Sequence, residues 1–121
     1  MIDTKGRVLV VDDEDEIRRL VRTVLEADEF EVLEARGGEA ALELATATHP
    51  AVVVLDILMP GLDGVEVCRR LDHQEAKVIV LTARDDPRVE KECWKAGADA
   101  FLTKPFSSIE LLDLVATLIS N

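Results

Sequence analysis

The chain has little of what marks several protein classes. Its only cysteines, Cys68 and Cys93, lack metal-ligand spacing and further cysteine partners, which excludes a zinc ribbon or a disulfide framework. No apolar run approaches a membrane span; the run Ala51–Leu55 stops at Asp56. Lys5 and Arg7 precede Val8–Val11, a stretch too short for a signal-peptide core, so the expected location is cytoplasmic, with reduced thiols. Internal repeats, low-complexity segments and linkers are missing too. Positive charge is scarce: 14 Lys and Arg stand against 25 Asp and Glu, a formal net charge of -11. Such a field repels phosphate backbones, so nucleic-acid binding by this segment is not expected, while divalent cations are favoured wherever carboxylates converge. What is present, 48% hydrophobic and 32% charged residues in 121, is the balance of one folded domain spanning residues 1–121.

The pattern alternates between two periods. Val8–Val11 is a continuous apolar run. A helical stretch follows, with Ile17, Leu20, Val21, Val24 and Leu25 on one face and Arg18, Arg19 and Arg22 on the polar side. Glu31–Ala35 reads as a mixed strand, and Gly37-Gly38 opens a helix that Pro50 stops. The apolar strand Ala51–Leu55 leads into the turn-rich Met59-Pro60-Gly61-Leu62-Asp63-Gly64, then a short helix over Val65–Leu71. Val78–Leu81 is a third apolar strand. Asp86 as N-cap and Pro87 at the first position start a helix that Gly97 closes. Ala100–Thr103 is a short strand, and Ser107 with Glu110 forms a capping-box signature before the last helix.

Alternating units predict an α/β fold, (βα)5, with a doubly wound parallel sheet. Strands buried on both faces are continuously apolar, and edge strands can be mixed or short. Strands one, three and four are the apolar ones, which gives the flavodoxin-like order 2-1-3-4-5 and puts a ligand site at the carboxyl ends of strands one and three. The chemistry-bearing residues fall there: Asp12 and Asp13 after strand one, Asp56 after strand three, Thr82 after strand four and Lys104 after strand five. Carboxylates about 4 Å apart repel by roughly 4 kcal/mol per pair at an effective dielectric of about 20. Such a cluster raises a pKa or holds a cation, and all-oxygen ligation suits Mg²⁺ or Mn²⁺. A lysine and a hydroxyl opposite the metal match phosphoryl chemistry on a carboxylate.

Asp12-Asp13 after an apolar strand, Asp56 to Gly64, Leu81-Thr82-Ala83 and Lys104-Pro105-Phe106, in this order and spacing, resemble the receiver domain of two-component response regulators over the whole chain. The resemblance implies that Asp56 is the phosphoacceptor, taking a phosphoryl group from the phosphohistidine of a sensor histidine kinase, from a phosphotransfer protein or from a small phosphodonor. It implies Mg²⁺ held by Asp13, Asp56 and the Leu58 main-chain carbonyl, with Asp12 acting partly through water. Lys104 would pair with the phosphoryl group, Thr82 would hydrogen-bond to it as a switch, and Ala83 would leave room for it. The Lys104–Pro105 bond would be cis. Phe101 occupies the place of the family's switch aromatic, and reads equally as a strand residue packed in the core. Leu58 and Arg84 hold the positions that tune phosphoryl lifetime.

Other residues read as structural: Glu14, Asp15 and Glu16 as favourable charge at a helix start, Cys68, Cys93 and Trp94 as packing, and His49 and His73 as solvated turn neighbours. Glu29 stands where many relatives have a glycine ending the first helix. Glu90, Ala100, Leu114 and Ala116 replace the charges through which winged-helix relatives dimerise, so that dimer is not expected, and Leu114 could offer an apolar patch to another partner. The functional expectation is a signalling switch that catalyses only its own phosphorylation and dephosphorylation. Its output goes to an unknown partner or domain through the fourth helix, fifth strand and fifth helix. The competing expectations are a Mg²⁺-dependent phosphatase with an aspartyl nucleophile and a receiver serving only as a scaffold. A stand-alone protein and a piece of a longer regulator or hybrid kinase fit the sequence equally.

Overall fold

A computed structural model describes residues 4–58, 63–83 and 86–120. Strands β1 (Arg7–Val11), β2 (Glu31–Ala35), β3 (Val52–Asp56), β4 (Lys77–Thr82) and β5 (Ala100–Thr103) alternate with helices α1 (Asp15–Ala27), α2 (Gly38–Thr48), α3 (Gly64–Arg70), α4 (Pro87–Ala96) and α5 (Ser108–Ser120). The strands form one parallel sheet in the order β2-β1-β3-β4-β5. This is the flavodoxin-like arrangement read from the apolar runs.

The burial explains why the runs have the composition they do. Val8–Val11, all of β3 and Val78–Leu81 are buried, because helices cover the central strands on both faces. Edge strands β2 and β5 keep half-buried or exposed positions. Side chains alternate across the sheet into two cores. Leu9, Val11, Val53, Leu55, Val78 and Val80 meet α2, α3 and α4, whereas Val8, Val10, Val52, Val54, Ile79 and Leu81 meet α1 and α5. Each fully buried Val or Leu contributes about 1.5–3 kcal/mol, so the central strands are the principal cohesive element.

Local chemistry fixes the helix ends. Asp86 accepts the Arg88 N–H at 3.0 Å, Pro87 takes the first position, and Gly97 closes α4 at φ 109°. Ser107 and Glu110 form the reciprocal box: Ser107 Oγ accepts the Glu110 N–H at 3.1 Å, and Glu110 Oε1 accepts the Ser107 N–H at 3.2 Å. Glu29 follows α1 at φ 71°, in the left-handed region where a glycine would carry no Cβ penalty.

Several sequence expectations change. Arg18 does not lie on the polar side of α1. With Val21 and Leu25, three and seven positions on, it forms the buried face, and Leu20 is exposed instead. His73 is half-buried rather than solvated. Its Nε2 lies 2.6 Å from the Cys68 carbonyl, and its ring fills the space a Cβ on Gly97 would take, 2.5 Å from His73 Cε1. His49 is exposed as expected and pairs with Glu75 at 2.8 Å. Leu114 is not an open patch; it is half-buried against the α1–α5 core. The turn residues Met59–Leu62 and the lifetime position Arg84 lie outside the described residues.

Candidate functional site

The parallel sheet brings distant residues to one rim. Asp12 and Asp13 follow β1, Asp56 is the last residue of β3, Thr82 the last of β4, and Lys104 follows β5. The Lys104 main-chain N–H donates to the Thr82 carbonyl at 2.8 Å, and the Asp12 N–H to the Ala35 carbonyl at 3.2 Å, so the rim is stitched across strands.

Asp12 is fully buried and Asp56 is 3% exposed, while Asp13 faces solvent. Each buried carboxylate is held at both oxygens. Asp12 Oδ1 accepts the Glu14 N–H at 2.9 Å, and Asp56 Oδ1 accepts the Leu58 N–H at 2.9 Å. The second oxygens face one ammonium: Lys104 Nζ lies 2.8 Å from Asp12 Oδ2 and 3.4 Å from Asp56 Oδ2. The Lys104–Pro105 peptide is cis, as the resemblance implied.

The charges do not balance. Asp12, Asp13 and Asp56 each offer an oxygen within 4.8 Å of the others, against the single ammonium of Lys104. Burial pushes the Asp56 carboxyl above the usual carboxylate range. The Leu58 N–H opposes that rise, the Asp12 charge adds to it, and Lys104 counters it. Burial works against the Lys104 ammonium, but the hydrogen bond it donates to Asp12 and the Asp56 and Asp12 charges outweigh it and raise its pKa. Three carboxylates and one ammonium leave two negative charges uncompensated, and the donors are all oxygen. Both properties fit a hard divalent cation.

Thr82 and Phe101 line a small pocket beside this rim with Ile57, Asp86, Val89, Glu90 and Thr103. Phe101 is half-buried against the α2–α4 core, and Trp94 of α4, itself 49% exposed, meets its ring edge-on at 4.9 Å between centroids. Trp94 is therefore packed on one side only. Leu58 turns its side chain outward, 66% exposed, while its amide holds Asp56.

One residue of this region escaped the sequence argument. Arg18 is 6% exposed and donates from Nη1 to the Asp12 carbonyl at 2.7 Å. The available signal was its spacing with Val21 and Leu25, which puts a cation on the apolar face.

The family model of the response regulator receiver domain matches residues 8–116. The transcriptional regulatory protein SrrA of Staphylococcus aureus is 40% identical over 115 residues, which are 94% of this chain and 48% of that protein. The chain thus spans about half the length of such curated relatives. Among solved structures, the receiver domain of the Francisella response regulator 1452 superposes with a TM-score of 0.86 at 36% identity, covering 95% of this chain and 97% of that one. Vibrio cholerae chemotaxis protein CheY4 gives 0.88 at 30% identity, covering 93% and 98%. The signal receiver domain of a signal transduction histidine kinase from Syntrophus aciditrophicus gives 0.86 at 32%, covering 95% and 90%. A family match over nearly the whole chain, the strand order and the acidic rim agree: the chain belongs to the response regulator receiver domains of two-component signalling.

Proposed function

We propose that this domain is a phosphorylation-driven switch in which Asp56 accepts a phosphoryl group from the phosphohistidine of a histidine kinase or a phosphotransfer protein. The observation that carries the proposal is the shared Lys104 ammonium between two buried carboxylates, with Asp13 alongside. Asp56 Oδ2, not tied to a backbone amide, attacks phosphorus; the new O–P bond forms as the P–N bond breaks and the imidazole leaves. Lys104 moves from carboxylate partner to phosphoryl partner with little displacement, since it already lies 3.4 Å from Asp56 Oδ2. Asp12, Asp13, Asp56 and the Leu58 main-chain carbonyl are the residues that would hold Mg²⁺. When bound, the ion neutralises the charge gathering on the transferring group.

Thr82 then hydrogen-bonds to the phosphoryl oxygens, and Phe101, which shares its pocket, follows it inward and alters the surface of α4, β5 and α5. The domain catalyses only its own phosphorylation and dephosphorylation, acts in the cytoplasm as one unit over residues 1–121, and controls an output partner or a further domain. Among the described residues no helix is long and apolar enough to cross a membrane.

The test is intact-protein mass after incubation with acetyl phosphate, with Mg²⁺ or with chelator, for wild type and Asp56→Asn. One alkali-labile phosphoryl group that needs both the metal and Asp56 is expected. Equal labelling of Asp56→Asn refutes the site. Failure of both acetyl phosphate and beryllofluoride with Mg²⁺ to modify or bind the wild type refutes the switch.

A further inference from the structure

A buried arginine is costly to keep and needs a structural reason. Removing a guanidinium from water costs several kcal/mol, and hydrophobic side chains of similar volume often replace buried ion pairs without loss. Arg18 is held on all sides. Nε donates to Glu34 Oε1 at 3.0 Å, Nη2 donates to Asp15, and Nη1 donates to the Asp12 carbonyl at 2.7 Å. Glu34 in turn forms an ion pair with Arg22, whose Nε lies 3.1 Å from its second oxygen. Burial disfavours the Arg18 charge, but the hydrogen bonds to Asp15 and Glu34 outweigh it, so the group stays a cation.

The carbonyl that Arg18 grips belongs to the peptide joining Asp12 to Asp13. That peptide is a rigid plane ending at the Asp13 Cα, so holding its oxygen fixes the point from which the Asp13 side chain starts. The same residue pair is fixed at three further points: the Asp12 N–H on Ala35, Asp12 Oδ1 on the Glu14 N–H, and Asp12 Oδ2 on Lys104. Three carboxylates within 4.8 Å would relax by splaying apart, and Asp13, exposed and with no side-chain hydrogen bond among the described residues, is the one least restrained.

We infer that Arg18 is a positioning residue for the acidic site: by fixing the Asp12–Asp13 peptide from behind, it keeps Asp13 converged with Asp12 and Asp56 in a geometry ready for a divalent cation. This rests on the proposed Mg²⁺ chemistry at Asp56 and adds a determinant that touches neither the ion nor the phosphoryl group. The guanidinium acts through its directed fork, not through charge alone. Lysine in its place would keep the charge but lose the simultaneous hold on Glu34, Asp15 and the carbonyl.

The experiment is a Mg²⁺ titration of the unphosphorylated protein by amide NMR, for wild type, Arg18→Met, Arg18→Lys and, as a stability control, Val21→Ala. Outer partners of metal ligands typically contribute 10–100-fold to affinity, so Arg18→Met should raise the Mg²⁺ Kd about tenfold or more. Arg18→Lys should fall nearer the Met variant than wild type. The Asp13 amide nitrogen should shift in both Arg18 variants before any metal is added, because its own peptide carbonyl has lost a charged donor. Val21→Ala should destabilise the fold and leave the Kd unchanged. If Arg18→Met does not fold, Arg18→Lys decides alone. A Kd within twofold of wild type in the folded Arg18 variants overturns the assignment while the phosphoacceptor proposal stands. A wild type that binds no Mg²⁺ overturns that proposal itself.

Discussion

Replacing Asp56 with asparagine should make the protein more stable at neutral pH, although it destroys the proposed acceptor. At an effective dielectric of about 20, Lys104 at 3.4 Å attracts the Asp56 carboxylate by about 5 kcal/mol. Asp12, no farther than 4.8 Å, repels it by at least about 3.5 kcal/mol on the same basis. Asp13, which faces solvent, adds a weaker, water-screened repulsion of the same sign. What is left is the cost of burying an ionised carboxylate that is 3% exposed, and burial is the largest influence on its pKa. Asparagine keeps an oxygen for the Leu58 N–H and removes that cost, so Asp56→Asn should gain about 1–3 kcal/mol, or about 4–12 °C in Tm for a domain of this size.

The sign with pH follows from the direction of the shift. The folded-state pKa of Asp56 is raised, so its stabilising contribution is full below the unfolded carboxylate value of about 3.9 and is lost as pH rises through the folded value. Wild type and Asp56→Asn should therefore converge in acid and separate toward pH 7. Urea unfolding followed by circular dichroism, with chelator, measures the gap at both ends. Mg²⁺ at pH 7 should raise the wild type selectively, by mass action on the folded state. A variant no more stable than wild type at pH 7, or a gap that persists unchanged below pH 4, would show that repulsion and burial at this rim are not what strains it.

Three further outcomes are expected. Glu29→Gly should raise the urea midpoint by the equivalent of about 1 kcal/mol, because the native φ of 71° puts a Cβ in the left-handed region. Gly64→Ala should lower Tm sharply, by about 3 kcal/mol or more in stability, since its Cβ would stand 2.3 Å from Ile57 Cα and 2.9 Å from Ile57 O, backbone atoms that cannot turn aside. Cys68 and Cys93, pushed up by burial to about 12 and about 11, should resist a thiol reagent at neutral pH in the folded protein and react at once in urea.

Which parts of the molecule the sequence disclosed follows from how local their causes are. The continuous runs Val8–Val11 and Val78–Leu81 marked central strands, because being covered on both faces demands it. Asp86, Pro87, Gly97, Ser107 and Glu110 marked helix ends, because caps are settled within a few residues. The rim residues were legible since the fold puts the carboxyl ends of all strands on one side. Arg18 was misplaced for the opposite reason. Its partners Glu34 and the Asp12 carbonyl come from other elements, and a charged residue was sorted by its own polarity instead of its spacing with Val21 and Leu25. His73 failed likewise: a polar residue in a turn became half-buried because Gly97, distant in sequence, left a hollow for its ring. Leu20 and Leu114 show that a periodic apolar residue can stand at the margin of its stripe.

Helix α4 buries only Cys93 and Ala96 fully, both in its second half, and its start shows Arg88, Lys91 and Glu92 to water. Its attachment is lopsided: anchored near Gly97, where the His73 ring wedges beneath the turn, and lightly seated where it leaves the β4 end. An element held by so few apolar contacts unlocks at a small fraction of the global unfolding free energy. Amide protons along α4 should then exchange as a ramp, fastest at the Pro87 end and slowest at Ala96, with the sheet beneath still closed. Such a ramp would mark α4 as a segment that rearranges about its C-terminal end without the central strands having to melt.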